Sequence, residues 1–280
     1  MSLAETAEGF QSAGYNVLLY DSRSVGGSGG FPRNQIDPWQ NAQDISGMSR
    51  TNLSWSTIRL TMTTIDVVSY IATLPSVDPR RIMLWGMSLG ASISGCAAAI
   101  DRRVVAVLMV CPIFTFIRPD KRKTGFAQLM KDRQSQLRGN EPFMLPPFNS
   151  KGENPVGFAG SGGPGGKEVH MLMKVAAERG HPNFRDRITL QSFHKLALFR
   201  PRDLLEEMLE DIPAMMIVPE LDSISLPAHQ MAAFEKLQTP KQLYLAKGTG
   251  HMDVLSGAGS KDILEAMIQF FHSALQGKIE

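Results

Sequence analysis

The sequence predicts an α/β fold: a mostly parallel, doubly wound sheet with helices on both faces and an inserted cap. Three observations predict it. Short apolar runs alternate with segments of helical periodicity, the pattern of parallel strands joined by crossover helices. One of those runs leads through a glycine-flanked turn into a small-residue helix. Between residues 113 and 212 the alternation stops, and the chain turns basic and is broken by Pro and Gly.

Taken in order, residues 3–13 read as a helix. Residues 15–20 (YNVLLY) form a continuous apolar run that ends in Asp21 and the glycine-rich loop 26–30. Such a run suits a parallel strand buried on both faces. Residues 58–74 carry apolar side chains at helical spacing and stop before Pro75. Residues 81–86 (RIMLWG) are the next strand and run into a helix over 89–100. Residues 104–111, 214–218 and 242–246 are three further strands, with helices over 227–237 and 261–275. The core is therefore expected over 1–112 and 213–280, and the cap over 113–212. Apolar stretches at 170–175 and 204–212 need something to bury against, which argues for a folded cap over a long loop. Within it, 160–166 (GSGGPGG) reads as the most flexible stretch.

The 280 residues, 43% hydrophobic, can bury one sizeable core and carry an insertion. A net charge of +2 gives no electrostatic case for nucleic acid or an anionic membrane surface. The apolar runs are far shorter than the roughly 20 residues that span a bilayer. The first ten residues hold two glutamates and no basic segment, so no secretory leader is expected there. Cys96 and Cys111 sit in apolar surroundings and read as small buried hydrophobes, which points to a reducing, cytoplasmic setting.

Gly86-Met87-Ser88-Leu89-Gly90 fits G-x-S-x-G, and its strand–turn–helix setting is that of a nucleophile elbow. Gly86 and Gly90 are read as the small neighbours that a strained serine backbone needs. The helix start, with the Leu89 amide, is positioned to hold an oxyanion. Serine is a weak nucleophile and needs a base and an orienting acid, which after such an elbow follow in the order acid, then histidine. Asp222 lies in the loop after strand 214–218, and His251 in the loop after strand 242–246. Carboxyl ends of parallel strands share one sheet edge, so Ser88, Asp222 and His251 can converge. Glu220 is the rival acid, closer to its strand end. Of the other histidines, only His194 is kept as a possible pocket residue, with Met87 beside the nucleophile as a second. Asp21 and Arg23 are read as structural braces. Residues 162–168 fail as a phosphate loop, because Ser161 replaces the first glycine and Glu168 replaces Ser or Thr. The basic run 118–123 reads as a solvated face that could dock an acidic carrier protein or a CoA phosphate.

The stretches YDSRSVGGSGG and NQIDPW, together with RIMLWGMSLGASISGCAAAIDRRVVAVLMVCPIF, resemble fungal polyketide transferases and trans-acting thiohydrolases. These belong to the dienelactone-hydrolase-like branch of the α/β-hydrolases. The resemblance implies an α/β-hydrolase fold and release or transfer of a polyketide acyl chain from a thioester or ester. The chain could be held on an acyl carrier protein or CoA, and no cofactor or metal is implied. A small-molecule esterase or dienelactone-type hydrolase is the alternative enzyme. Members of the family begin with several strands and a His-Gly loop that supplies one oxyanion amide. Here those N-terminal strands are expected to be missing, and the strands at 15–20 and 81–85 to stand apart with a gap. A catalytically impaired binding protein lacking the oxyanion loop is therefore the third reading.

Overall fold

The computed structural model describes residues 3–46, 67–180 and 182–279. In chain order the elements are α1 (Leu3–Ser12), α2 (Pro38–Ser46), α3 (Val67–Ala72), β1 (Ile82–Met87), α4 (Leu89–Ile100) and β2 (Val104–Val110). They continue with α5 (Arg122–Leu137), β3 (Met144–Leu145), α6 (Pro164–Glu178), β4 (Ile188–Thr189), α7 (Leu190–Leu198) and α8 (Pro201–Met208). The chain closes with β5 (Ala214–Pro219), α9 (Pro227–Lys236), β6 (Lys241–Ala246) and α10 (Ser260–Leu275). Of the helix expected over 58–74, residues 67–74 fall among the described ones, and of these Val67–Ala72 are helical. Two compact units result: one within Met1–Tyr20, Ala42–Phe114 and Arg200–Glu280, the other within Asp21–Asn41 and Thr115–Phe199.

The first unit is built on a parallel sheet in the order β1-β2-β5-β6. Both faces of its centre are covered, so β5 and most of β2 are buried along their length. Side chains alternate across the sheet. Ala106, Leu108 and Val110 join Met215 and Ile217 in a cluster with Phe10 of α1 and Met267 and Phe270 of α10. Met109 points the other way, where Gly95 of α4 approaches it so closely that a Cβ there would lie 2.8 Å from its sulfur. Each such large apolar side chain, fully buried, contributes about 1.5–3 kcal/mol. Met87 pairs with Val110, and Val110 with Ile217, so three strands end level and their loops share one edge.

The segment 15–20 departs from the buried strand that its composition predicts. Among the described residues it joins no ladder, and Val17, Leu18, Leu19 and Tyr20 are exposed by 36–54%. Among the described residues strand β1 pairs on one side only, with β2. Between β1 and segment 15–20 lies a cleft of about 450 Å³, lined by residues of both and by Val68, Ile71 and Phe271. The phenol oxygen of Tyr15 has no hydrogen-bond partner among the described residues.

In the second unit, α5 and α7 pack together beside the short antiparallel pair β3–β4. Buried Asp132 of α5 accepts hydrogen bonds from Gln191 (2.7 Å), Gln136 (2.7 Å) and the Phe143 amide (3.0 Å). Residues of 21–41 are tied to 187–192: Asn34 donates to the Arg187 carbonyl and Ile36 to Ser192 Oγ. Asp21 braces its own turn by accepting from the Gly27 amide at 2.8 Å. Segment 160–166 is a packed turn and not the loose linker its composition suggests. The Gly162 amide donates to the Gly152 carbonyl at 2.6 Å, and a Cβ on Gly166 would lie 2.2 Å from that same oxygen. The glycines are there because two backbone segments touch.

Candidate active site

Ser88 occupies the turn between β1 and α4 with φ 59° and ψ −124°, a strained conformation for a residue with a Cβ. Its amide donates to the Val110 carbonyl at 2.8 Å, which pins the turn to β2. A Cβ on Gly86 would meet the Gly90 carbonyl at 2.3 Å and Ser94 Oγ at 2.7 Å, so this position accepts only glycine. Gly90 differs from the sequence expectation. Nothing lies within 4 Å of a Cβ built there, and its contribution is the carbonyl that Gly86 must clear. The Leu89 amide, at the first position of α4, has no acceptor among the described residues. Helix amides at that position lack an internal partner, and the helix dipole adds a partial positive charge.

Asp222 and His251 arrive on the loops after β5 and β6. His251 Nε2 lies 2.8 Å from Ser88 Oγ, and Nδ1 lies 2.8 Å from Asp222 Oδ2. Asp222 and His251 are each only 3% exposed, so this pair sits away from bulk water. Asp222 is fixed from three directions. Its Oδ1 accepts from the amides of Ile224 and Ser225, and Gln230 Nε2 donates to Oδ2 at 3.0 Å. Gln230 also donates to the Ser225 carbonyl, and Ser225 Oγ donates to the Pro112 carbonyl at 2.6 Å. Glu220 accepts from the Gly248 amide at 2.7 Å and so steadies the histidine loop.

Cys96 and Cys111 are both buried free thiols. Cys111 Sγ lies 3.8 Å from His251 Nε2. Cys111, Asp222 and His251 offer ligand atoms within 4.8 Å of one another, but Asp222 engages Nδ1 and Cys111 faces Nε2. Met87 is partly buried and packs against the core cluster. His194 belongs to the other unit, partly buried and edge-on to Phe126. Sequence reasoning missed Gln230, Ser225 and Cys111. None stands in a motif, and each acts through a contact set by the fold.

No helix among the described residues is long and apolar enough to cross a membrane. The profile of the alpha/beta hydrolase family matches residues 3–259. The chain is 37% identical over 279 residues to a thiohydrolase of Eupenicillium brefeldianum, covering 99% of this chain and 83% of that one. It is 34% identical to a polyketide transferase of Stachybotrys chlorohalonatus, covering 98% of this chain and 84% of the relative. Among solved structures, that of DcsB in complex with its substrate analogue matches with TM-score 0.88 and 50% identity, over 98% of this chain and 86% of that chain. These matches run through the elbow and through both later loops, and the chain belongs to the α/β-hydrolase family of enzymes.

Proposed function

We propose that the protein performs serine-dependent acyl transfer or hydrolysis on a polyketide-type thioester or ester in secondary-metabolite biosynthesis. The observation that carries this reading is the unbroken hydrogen-bonded chain from Ser88 Oγ through His251 to Asp222. Ser88 attacks the acyl carbonyl while His251 Nε2 takes its proton. His251 then protonates the departing thiol or alcohol, and deprotonates the acceptor when the acyl-enzyme is resolved. Asp222 holds the imidazole tautomer and opposes the charge it gains. The Leu89 amide donates to the tetrahedral oxyanion. Water as acceptor gives a free acid, and an alcohol gives an ester.

The relatives' names support a polyketide acyl group. On this reading residues 113–212 serve as the cap segment. An acyl carrier protein or CoA presents the thioester, met by the basic run at 118–123. One further extended strand belongs in the cleft beside β1, and the loop that follows it supplies a second oxyanion donor. The open cleft favours one competing reading, a catalytically impaired binding protein, since losing a single donor costs about 10²–10³ in rate.

A fluorophosphonate probe is expected to label Ser88, and Ser88→Ala to abolish both labelling and thioester turnover without a change in melting temperature. Labelling that survives in the alanine variant overturns the assignment. Labelling without turnover of any thioester or ester in a panel offered water and alcohol acceptors favours the binding protein.

A further inference from the structure

We propose that Cys111 is a positioning residue for the Ser88–His251 pair. The side chain is fully buried, with Sγ 3.8 Å from His251 Nε2, the same nitrogen that meets Ser88 Oγ. The Ser88 amide donates to the carbonyl of Val110, the residue just before the thiol. Sulfur thus lies beside the imidazole, within 4.8 Å of an Asp222 carboxylate oxygen as well as close to Nε2.

The backbone is bent to put it there. Cys111 directly follows β2 and adopts φ +42°, while its amide donates to the Ile217 carbonyl at 2.9 Å. Few residues with a Cβ adopt such a conformation, and it persists here because the ladder and the elbow fix both sides. Burial first, and the Asp222 charge second, push the thiol well above its ordinary range, so it remains an uncharged S–H. An uncharged thiol cannot draw the imidazole away from Ser88 as a carboxylate would. Its sulfur is a weak acceptor, so it can accept a hydrogen bond from Nε2–H, which keeps its proton while the leaving group takes its place. Cys111 therefore packs against the imidazole and limits its swing without competing for the proton.

This inference rests on the acyl-transfer reading, and the test separates the two. Alanine and serine share the backbone demands of cysteine at φ +42° closely enough to isolate the side chain. Cys111→Ala is expected to lower kcat, and the rate of fluorophosphonate labelling of Ser88, on the order of 10-fold with KM unchanged. That is less than the ~10²-fold cost of a 1 Å misplacement, because Asp222 still holds Nδ1. Cys111→Ser, which restores an acceptor on the same Cβ, is expected to recover most of the loss at an unchanged KM. Equal labelling rates in wild type and Cys111→Ala overturn the inference while leaving the proposed function intact. So does a loss that follows only the unfolded fraction in a thermal melt. Absence of labelling in the wild type removes both.

Discussion

Two carboxylates stand two positions apart after β5, and their surroundings separate their roles. Asp222 Oδ2 meets the imidazole at 2.8 Å, whereas Glu220 turns to the Gly248 amide. Sequence order alone brings both acids to the same sheet edge, and the placement rule for the elbow favoured the second. What the sequence did not carry was the cradle: Gln230, eight residues on, and the Ser225 link to Pro112 across the sheet edge. Such contacts depend on where loops meet and leave no periodic trace. Asp222→Asn is expected to lower kcat about 10⁴-fold, as loss of the orienting acid does elsewhere, and not to add to Ser88→Ala, because the three act as a unit. Glu220→Gln keeps an acceptor for Gly248 and is expected to be mild. Steady-state kinetics of the four variants check this, and the reverse ranking overturns the choice of acid. A second expectation concerns pH. Burial pushes the thiols of Cys96 and Cys111 above the ordinary 9.0. The unfolded chain then releases these protons first, so stability is retained below 9.0 and falls as pH rises beyond it. The slope is up to about 1.4 kcal/mol per pH unit for each thiol. Urea midpoints at about pH 8 and about pH 10, compared between wild type and Cys96→Ala, measure it, and an equal drop in both leaves Cys96 without the effect.

At the scale of elements, the strands in the sheet were legible because burial on both faces demands continuous apolar runs. Met215 through Val218 is such a run and is wholly buried. The helices α9 and α10 were legible from their periodicity, and their bounds fall within a residue or so of expectation. Segment 160–166 was misread because glycine has two uses: it frees a chain, or it lets two backbones touch. Composition cannot tell these apart, and the approach of Gly166 to the Gly152 carbonyl can. Asp132 was equally silent in the sequence, one charge among several on α5. Buried with three donors aimed at it, it joins α5, α7 and the start of β3. Asp132→Ala leaves the Phe143 N–H without its acceptor and takes one of the two that Gln191 Nε2 holds, the other being the Leu129 carbonyl, and is expected to cost about 3 kcal/mol, in line with loss of several hydrogen bonds to a charged group. Asp132→Asn keeps two acceptor sites on one oxygen and is expected to cost less. Denaturant titration ranks the two, and an alanine variant as stable as wild type refutes the bracing role.

At the scale of the whole molecule the sheet raises a question that its single residues do not. A parallel strand with helices on both faces is ordinarily paired on both edges or covered. Here β1, which ends beside Ser88, is paired on one edge only among the described residues, and segment 15–20, in no ladder among them, lies across the cleft. The rims of the cleft match a strand in chemistry: apolar side chains from β1, α3 and α10 line it, and main-chain donors and acceptors of 16–20 make no ladder. An extended apolar strand placed there would bury Val17, Leu18 and Leu19 and pair β1 on its free edge. On the proposed function, the turn after it supplies a second oxyanion donor. The chain spans 83–84% of the thiohydrolase and polyketide transferase that it matches, so those relatives carry residues beyond this span. We expect that the chain produced together with in-frame sequence encoded upstream of Met1 melts at a higher temperature than the chain as given. Its backbone at 15–20 and in β1 should exchange amide hydrogens more slowly. Its thioester turnover should be higher by about 10²–10³, the worth of one oxyanion donor. The shorter chain, with an open strand edge, should self-associate on size-exclusion chromatography. If the chain as given is monomeric, protects β1 from exchange to the same degree and turns over a thioester at the rate of the longer form, then no further strand belongs in the cleft.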